Sequence, residues 1–191
     1  MKPVTSASEN LLAIGVAQGV TGMNLEDRLA ILFEELRGPL YRYLLLLLWD
    51  AADAEELTQE AFLRLHRACL DGKKIGNVKA WLFRVAHNLA VDHLRSSRPT
   101  DSLTDERIHS RAETASPSAD PETLALNRER LGALSQAIHT LSPRQRECLH
   151  LRAEGFGYRE ISAILEVGLP TVVENVRRAV LRLAKEFHVS R

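Results

Sequence analysis

Residues 158–187 read YREISAILEVGLPTVVENVRRAVLRLAKEF, and this stretch determines the architecture of the C-terminal part of the chain. Apolar residues recur at helical spacing on both sides of Glu166-Val167-Gly168, which predicts a short helix (158–165), a tight turn and a longer helix (169–187). This order is typical of a helix-turn-helix. The alternative is an amphipathic helix with a solvated basic face, but the preceding helix and the turn favour the helix-turn-helix.

The longer helix has an inward and an outward side. Its predicted buried stripe consists of Val172, Val176, Ala179, Val180 and Leu183. A recognition helix presents its first turns to base edges and its basic residues to phosphates. The candidate DNA-facing residues are therefore Thr171, Val173, Glu174, Asn175, Arg177 and Arg178. For Glu174 the sequence allows three roles: accepting a hydrogen bond from cytosine, orienting a neighbouring arginine, or repelling the DNA backbone.

The chain upstream of this pair also has helical patterns. Ser142-Pro143-Arg144-Gln145 predicts a capping box with proline at the first helical position, followed by a helix to about Glu154. Another helix is predicted near 124–141, and together these helices make a C-terminal domain over 128–187. Residues 99–127 contain three prolines and few apolar side chains, so they are predicted to be a linker.

A second helical domain is predicted over 25–98, after a mobile tail at 1–24. One helix should run from Leu25 to Gly38-Pro39, and the next from Leu40 to Trp49, because proline suits a first helical turn and not a helix interior. Asp53 with Glu56 predicts a capping box for a helix to about Leu70. Asn77 is the expected N-cap of a helix from Val78 to about Ser96. The expected core residues of these last two helices are Leu57, Ala61, Phe62, Leu65, Cys69, Leu82, Val85, Ala86, Leu89 and Leu94.

The predicted fold class is therefore all-α, with two small helical domains joined by a flexible linker. The chain has 191 residues, of which 25 are basic and 25 acidic, but the charge is unevenly distributed. Residues 25–60 carry three basic and nine acidic side chains, 61–98 carry eight and two, and 128–191 carry eleven and seven. Two basic blocks indicate two surfaces that meet a polyanion, and the acidic block indicates a basic partner.

No residue pattern in the chain indicates catalysis or a bound metal or cofactor. The sequence has no HExxH, P-loop or GxGxxG motif, and Cys69 and Cys148 lie too far apart for a CxxC site. An enzyme with a DNA-binding tail is thus not favoured.

The longest apolar run, Leu44 to Trp49, is far shorter than the roughly 20 residues that span a bilayer, so a reduced, cytoplasmic protein without membrane insertion is expected.

The helix predicted from Val78 carries a second stripe opposite its core. Asn77, Trp81, Arg84 and Asn88 follow each other at helical spacing, and Lys73 and Lys74 precede them. An aromatic ring among cations and amides suits unpaired DNA, because bases stack on the ring while cations hold phosphates. Trp81 as a core residue is the alternative. The preceding helix carries an acidic stripe, at Asp53, Glu56 and Glu60 with Glu55 and Gln59 beside them, which is tolerable where a basic partner covers it.

At this point the chain resembles a bacterial RNA polymerase sigma factor of the extracytoplasmic-function (ECF) type. Residues 54–65, AEELTQEAFLRL, are similar to the polymerase-binding helix of that family's region 2. Residues 80–95, AWLFRVAHNLAVDHLR, are similar to its −10-element helix, and residues 141–179 are similar to region 4. The chain departs from the family at Gly157, where a Ser or Thr N-cap is usual, and at Glu166, where the turn usually has glycine.

The resemblance implies partners and site residues. Glu56, Gln59 and Glu60 would bind the clamp helices of the largest subunit of core RNA polymerase, and region 4 would meet the flap of the second-largest subunit. Promoter DNA would be bound at the −10 element by Lys73, Lys74, Asn77, Trp81, Arg84 and Asn88. The outward residues of the recognition helix would bind the −35 element, and an anti-sigma factor is a further implied partner. The remaining alternative is a two-domain helix-turn-helix regulator that does not bind core polymerase.

Overall fold

The computed structural model describes residues 24–96 and 137–189, with side chains described as far as 185. Within these ranges there are six complete helices, the last residues of another, and no strand, which confirms the all-α prediction. We label them α1 (Leu25–Leu48), α2 (Ala51–Leu70), α3 (Val78–Ser96), α4 (Pro143–Ala153), α5 (Tyr158–Leu165) and α6 (Leu169–Val189). The predicted linker, most of the predicted tail and most of the predicted 124–141 helix lie outside the described residues; of that helix residues 137–141 are described, with 137–139 helical and 140–141 in a turn and bend.

The chain folds into two compact units. The first contains α1, α2 and α3, which pack pairwise against each other. The second contains α4, most of α5, and α6, with α4 packed against α6. Buried apolar side chains form a core in each unit.

Helix α1 is one continuous helix where the sequence predicted two, so the predicted break at Pro39 is wrong. Proline has no N–H and costs about 3 kcal/mol in a helix interior. The buried residues Leu32, Leu36, Leu40 and Leu44 follow each other every four residues, so a single helix keeps one face in the core across the proline. Full burial of each such leucine is worth roughly 1.5–3 kcal/mol. The free energy gained by burying the leucines after Pro39 thus exceeds the cost of the missing hydrogen bond. Helix α1 continues to Leu48, and Trp49, whose φ is 58°, is its C-cap.

The N-cap of α2 is Asp50, so the predicted Asp53–Glu56 capping box is also wrong. The Asp50 carboxylate accepts hydrogen bonds from the backbone N–H of Ala52 at 2.8 Å and of Asp53 at 3.0 Å. Asp50 directly follows the left-handed residue that ends α1, so the chain has only two residues between the helices. Asp53 lies in the first turn of α2 and contacts α3 instead, through His93 Nε2 at 3.0 Å.

The core of the first unit differs from the prediction mainly in α3. In α2, Leu57, Ala61 and Leu65 are buried as predicted, while Phe62 and Cys69 are half-buried. In α3 the predicted residues divide: Leu82 and Ala86 are buried, Val85 and Leu89 are half-buried, and Leu94 is exposed. Four residues that the helical pattern did not indicate are buried in their place: Val78, Phe83, His87 and Ala90.

The contacts of His87 explain part of this difference between the predicted and the observed core of α3. Its Nδ1 lies 2.9 Å from the hydroxyl of Tyr43 on α1, and both side chains are buried. Because a buried polar group needs a hydrogen-bond partner, this contact makes a histidine acceptable in the core. The N-cap of α3 is as predicted, since Asn77 Oδ1 accepts from the backbone N–H of Ala80 at 2.9 Å.

The second unit begins with the predicted capping box. The Ser142 hydroxyl accepts from the Gln145 N–H at 3.3 Å, and the Ser142 N–H donates to Gln145 Oε1 at 3.1 Å, with Pro143 at the first helical position. The start of α5 has half of such a box. The Gly157 N–H donates to the Glu160 carboxylate at 2.7 Å, so glycine at this position still leaves the helix capped.

The helix-turn-helix is confirmed, with α5 and α6 joined by residues 166–168. The turn is fixed by the Val167 N–H, which donates to Ser162 O at 3.2 Å, and by the Ser162 hydroxyl, which donates to Val167 O at 2.6 Å. Glu166 has a φ of 52°, a conformation that usually favours glycine. Of the predicted inward stripe of α6, Val172, Val176 and Ala179 are buried, whereas Val180 is 51% exposed and Leu183 is half-buried.

Candidate nucleic-acid interface

The outward side of α6 carries the six residues that the sequence predicted to face DNA. Thr171, Val173, Arg177 and Arg178 are exposed, and Glu174 and Asn175 are half-exposed. All six lie outside the buried stripe of the helix. An exposed helix side with two arginines, an amide and an apolar side chain has the donors and the methyl groups that duplex DNA recognition uses.

Three charged residues on this side are bonded to one another. Glu174 Oε2 accepts from Arg177 Nε at 2.8 Å, and Glu174 Oε1 accepts from Arg177 Nη2 at 2.9 Å and from Arg178 Nε at 2.6 Å. These hydrogen bonds from Arg177 and Arg178 lower the pKa of Glu174 to about 2. The carboxylate is therefore ionised at neutral pH and engages both arginines. We call Glu174, Arg177 and Arg178 the arginine clamp.

The amide of Asn175 is also held on its own helix. Its Nδ2 donates to the backbone carbonyl of Thr171 at 2.8 Å. Bidentate recognition of adenine by asparagine uses one amide hydrogen and the amide oxygen. Since Nδ2 has two hydrogens, the contact with Thr171 orients the amide and is compatible with adenine recognition.

The second predicted stripe lies on α3. Arg84 is exposed, and Trp81 and Asn88 are half-buried, so Trp81 is not one of the fully buried core residues. Lys73 and Lys74 are exposed on the loop that precedes α3. This loop is fastened to the end of α2, because the Lys73 N–H donates to Ala68 O at 3.0 Å. Asn77 differs from the other members in that its Oδ1 caps α3.

The acidic stripe of α2, for which a basic partner is expected, is partly neutralised within the chain. Glu55 pairs with Arg37 at 2.8 Å, and the hydrogen bond from that guanidinium lowers the pKa of the Glu55 carboxyl. Glu60 pairs with Arg64 at 2.8 Å, and Gln59 Nε2 donates to Glu55 at 3.3 Å. Glu56 is exposed and has no ion-pair partner among the described residues.

The same side of α2 also has exposed apolar residues that the sequence pattern did not predict. Leu63 is 49% exposed and Leu70 is 66% exposed, seven and fourteen residues after Glu56. These spacings place all three on one side of the helix. The sequence did contain a signal for this exposed residue. Leu63 does not fit the core spacing of Ala61 and Leu65, which places it on the charged side of the helix.

Neither a membrane span nor a metal site is found in the described parts of the chain. No helix there is long and apolar enough to cross a membrane. Nor do three or more His, Cys, Asp or Glu side chains in residues 24–96 and 137–185 come together as a metal site.

Comparison with known proteins defines the class. The family model of sigma-70 region 2 matches residues 32–100, and that of sigma-70 region 4 matches residues 131–183. The chain is 30% identical over 164 residues to the ECF RNA polymerase sigma factor BldN of Streptomyces coelicolor, a match that covers 83% of this chain and 60% of that protein. It is 31% identical over 136 residues to the RNA polymerase sigma-H factor of Pseudomonas aeruginosa, covering 68% of this chain and 70% of that protein.

Two solved structures have the same fold. One is the sigma factor RpoE of Bartonella quintana in complex with the anti-sigma factor NepR, with a TM-score of 0.59, 24% identity, and coverage of 85% of this chain and 98% of that one. The other is CnrH in complex with the cytosolic domain of CnrY, with a TM-score of 0.59, 19% identity, and coverage of 96% and 99%. A chain with region 2 followed by region 4 is of the sigma-70 class. Within that class, this chain belongs to the ECF sigma factors, which are not enzymes.

Proposed function

We propose that this chain is a dissociable subunit of RNA polymerase that binds the core enzyme and directs it to specific promoters. The observation that carries this proposal is the α3 stripe within the region 2 match, with Trp81 outside the fully buried core beside Arg84 and Asn88. A regulator that binds only closed duplex DNA has no use for a stacking platform of this kind. The alternative of a helix-turn-helix regulator without polymerase is therefore not favoured.

Core polymerase would be bound through α2. Glu56 and Gln59 are exposed and Glu60 is half-exposed on one side of this helix, where they would meet the clamp helices of the largest subunit. The internal pairs of Glu55 and Glu60 with arginines limit the repulsion along the helix before binding. The second unit would bind the flap of the second-largest subunit.

The −10 element would be captured as unpaired bases by α3 and its preceding loop. Lys73 and Lys74 would hold phosphates, Trp81 would stack on a flipped base, and Asn77, Arg84 and Asn88 would contact exposed edges and phosphates. Flipping a base costs a few kcal/mol, and stacking on an aromatic ring returns about 1–3 kcal/mol per base. The α3 side thus has a role in opening the promoter as well as in recognising it.

The −35 element would be read as duplex DNA by α6. Thr171, Val173 and Asn175 would contact base edges, with Arg177 and Arg178 on phosphate or guanine. The acidic Glu174 among them would tune this contact.

An anti-sigma factor is a proposed further partner. RpoE of Bartonella quintana and CnrH are both solved in complex with anti-sigma partners, and this chain shares their fold. All these partners would be met in the cytoplasm, where the polymerase and the chromosome are.

In vitro transcription with purified core polymerase tests the function. The full chain should produce start-site-specific transcripts from a subset of a promoter library, whereas core polymerase alone should not. Absence of any such transcript, together with DNA binding by the chain alone, would instead support the duplex-binding regulator.

A further inference from the structure

The arginine clamp of α6 divides its two guanidinium groups unequally. Arg177 uses its Nε and one terminal amino group, Nη2, to grip both oxygens of the Glu174 carboxylate. Arg178 uses only Nε, at 2.6 Å from Oε1, so its Nη1 and Nη2 take no part in the clamp. The pair Nη1 and Nη2 can make the two parallel hydrogen bonds that arginine donates to guanine O6 and N7, whereas Arg177 keeps a single terminal nitrogen.

The carboxylate itself has little capacity left for a base. An ionised carboxylate has about four lone-pair sites, and three of them already accept hydrogen bonds. Direct acceptance from cytosine N4 would have to use the remaining site or displace an arginine. With Glu174 ionised, the three side chains of the clamp carry one net positive charge at neutral pH.

We propose that Glu174 is a positioning residue for −35 recognition, which holds Arg178 in the orientation that pairs with one guanine and keeps Arg177 from making a second such pair. This inference rests on the proposed function of α6 as the −35 reader. Arg178 thereby recognises the base pair at one position of the −35 element, and Glu174 determines how strongly other base pairs at that position are rejected. Of the three roles that the sequence allowed for Glu174, arginine orientation is the one proposed.

The test uses holoenzyme reconstituted from the full chain and core polymerase. Preferred promoters are first selected by the wild type from a library randomised in both elements, and the −35 element is then randomised alone at two salt concentrations. The variants are Glu174→Ala, Arg178→Lys and their combination. Arg182→Lys is the matched control, because it makes the same arginine change one turn further along α6.

The expected result is loss of discrimination at one G·C pair in both single variants. The loss for Arg178→Lys should be roughly 5- to 150-fold, the range of one bidentate arginine–guanine contact. The combined variant should lose no more at that pair than Arg178→Lys alone, because Glu174 acts through Arg178. Glu174→Ala should also steepen the salt dependence by about one phosphate contact, since Arg177 is released. Arg182→Lys should leave the selected sequence unchanged.

Two outcomes would overturn the inference while leaving the proposed function intact. If Glu174→Ala and Arg178→Lys alter different base pairs additively, Glu174 reads its own base. If Glu174→Ala raises affinity uniformly and leaves the selected sequence unchanged, the carboxylate only repels the backbone. Failure of the wild-type holoenzyme to select any −35 sequence would instead contradict the proposed function of α6.

Discussion

Trp81 is the single residue on which promoter opening depends most directly in the proposed function. The residue is half-buried and lies outside the fully buried core. Arg84 and Asn88 follow three and seven residues later on the same helix. A stacked base next to a cation and an amide is held by three different interactions, and the ring provides the one that a closed duplex cannot use.

We therefore predict that Trp81→Ala and Asn88→Ala impair promoter opening more than initial duplex binding. Loss of one base–aromatic stack, about 1–3 kcal/mol, should lower the opening equilibrium roughly 5- to 150-fold for Trp81→Ala. Permanganate footprinting measures the unpaired thymines, and a filter-binding assay measures the closed complex. Trp81→Phe is the control, because it keeps an aromatic ring and should retain much of the opening. Wild-type opening by Trp81→Ala would show that the residue is only structural.

Cys148 gives the second unit a pH-dependent stability. Burial, assisted by the negative charge of Glu147, raises the pKa of Cys148 to about 11, well above the value of about 8.5 for a free cysteine. The folded state thus keeps a proton that the unfolded state releases as the pH rises above about 8.5. The stabilisation is complete below that pH and is lost as the pH rises towards 11.

We predict that the stability difference between the Cys69→Ala protein and the Cys69→Ala/Cys148→Ala protein shrinks by about 1–2 kcal/mol between pH 7.5 and 10. The paired design cancels the titration of lysines and tyrosines, which both proteins share. Urea unfolding of the two proteins at several pH values measures the difference. A difference that stays constant across this range would contradict the protonated, buried thiol.

At the scale of the helices, α2 keeps most of its acidic side chains paired with side chains of the first unit. Its acidic residues are shared between Arg37 of α1, Arg64 of α2 itself and His93 of α3, and Glu56 stays outside these pairs. Exposed ion pairs contribute little stability, typically 0–1 kcal/mol. These pairs are therefore easily exchanged for contacts with a partner.

We predict that Gln59→Ala with Glu60→Lys weakens binding to core polymerase by roughly tenfold, about 1.4 kcal/mol, without unfolding the first unit. Lysine at position 60 would face Arg64 and the basic partner with the same sign of charge. The measurement is a titration of labelled chain with core enzyme, with helicity checked by circular dichroism. Glu35→Lys, an equal charge change on the exposed side of α1, is the control and should bind normally. If the α2 variant binds core polymerase with unchanged affinity, the polymerase contact lies elsewhere on the chain.

Helix boundaries were predicted well where a local signal decides them and poorly where the core decides them. Ser142, Pro143 and Gln145 form the expected capping box because all of its hydrogen bonds lie within four residues. Pro39 did not end α1, because the leucines on either side of it share one buried face that only the packed unit reveals.

The candidate site shows the same division. The positions of Trp81, Arg84 and Asn88 on one side of α3 follow from helical spacing, and the structure agrees. The partners of side chains do not follow from spacing alone: nothing in the sequence decides that Glu174 binds both Arg177 and Arg178, or that Tyr43 binds His87. Rotamers and tertiary packing select among several partners that the spacing allows.

At the scale of the whole molecule, each unit has its own buried residues. In the first unit, Leu40, Tyr43, Leu65 and Phe83 are completely buried, and they come from all three helices. In the second unit, Leu151, Val172 and Ala179 are completely buried.

We predict that a fragment of residues 24–96 folds by itself into a helical unit with a cooperative unfolding transition. Its interior should support a large effect of truncation, so Phe83→Ala should destabilise the fragment by about 3–5 kcal/mol. Urea unfolding followed by circular dichroism measures both statements. As a surface control, Arg84→Ala should change stability by less than about 0.5 kcal/mol. A non-cooperative transition in the wild-type fragment would show that the first unit depends on the rest of the chain.

The arginine clamp has a consequence for how promoter choice can diverge. Its three members lie within five consecutive residues of one exposed helix, and none of them is part of either core. On the proposed role of Glu174, a single codon change at position 174 would alter which promoters the polymerase selects, without changing a residue of either core. Paralogues that differ only at this codon would then serve different sets of genes, and residues 171–178 would be the short segment to exchange when engineered transcription circuits must be kept apart.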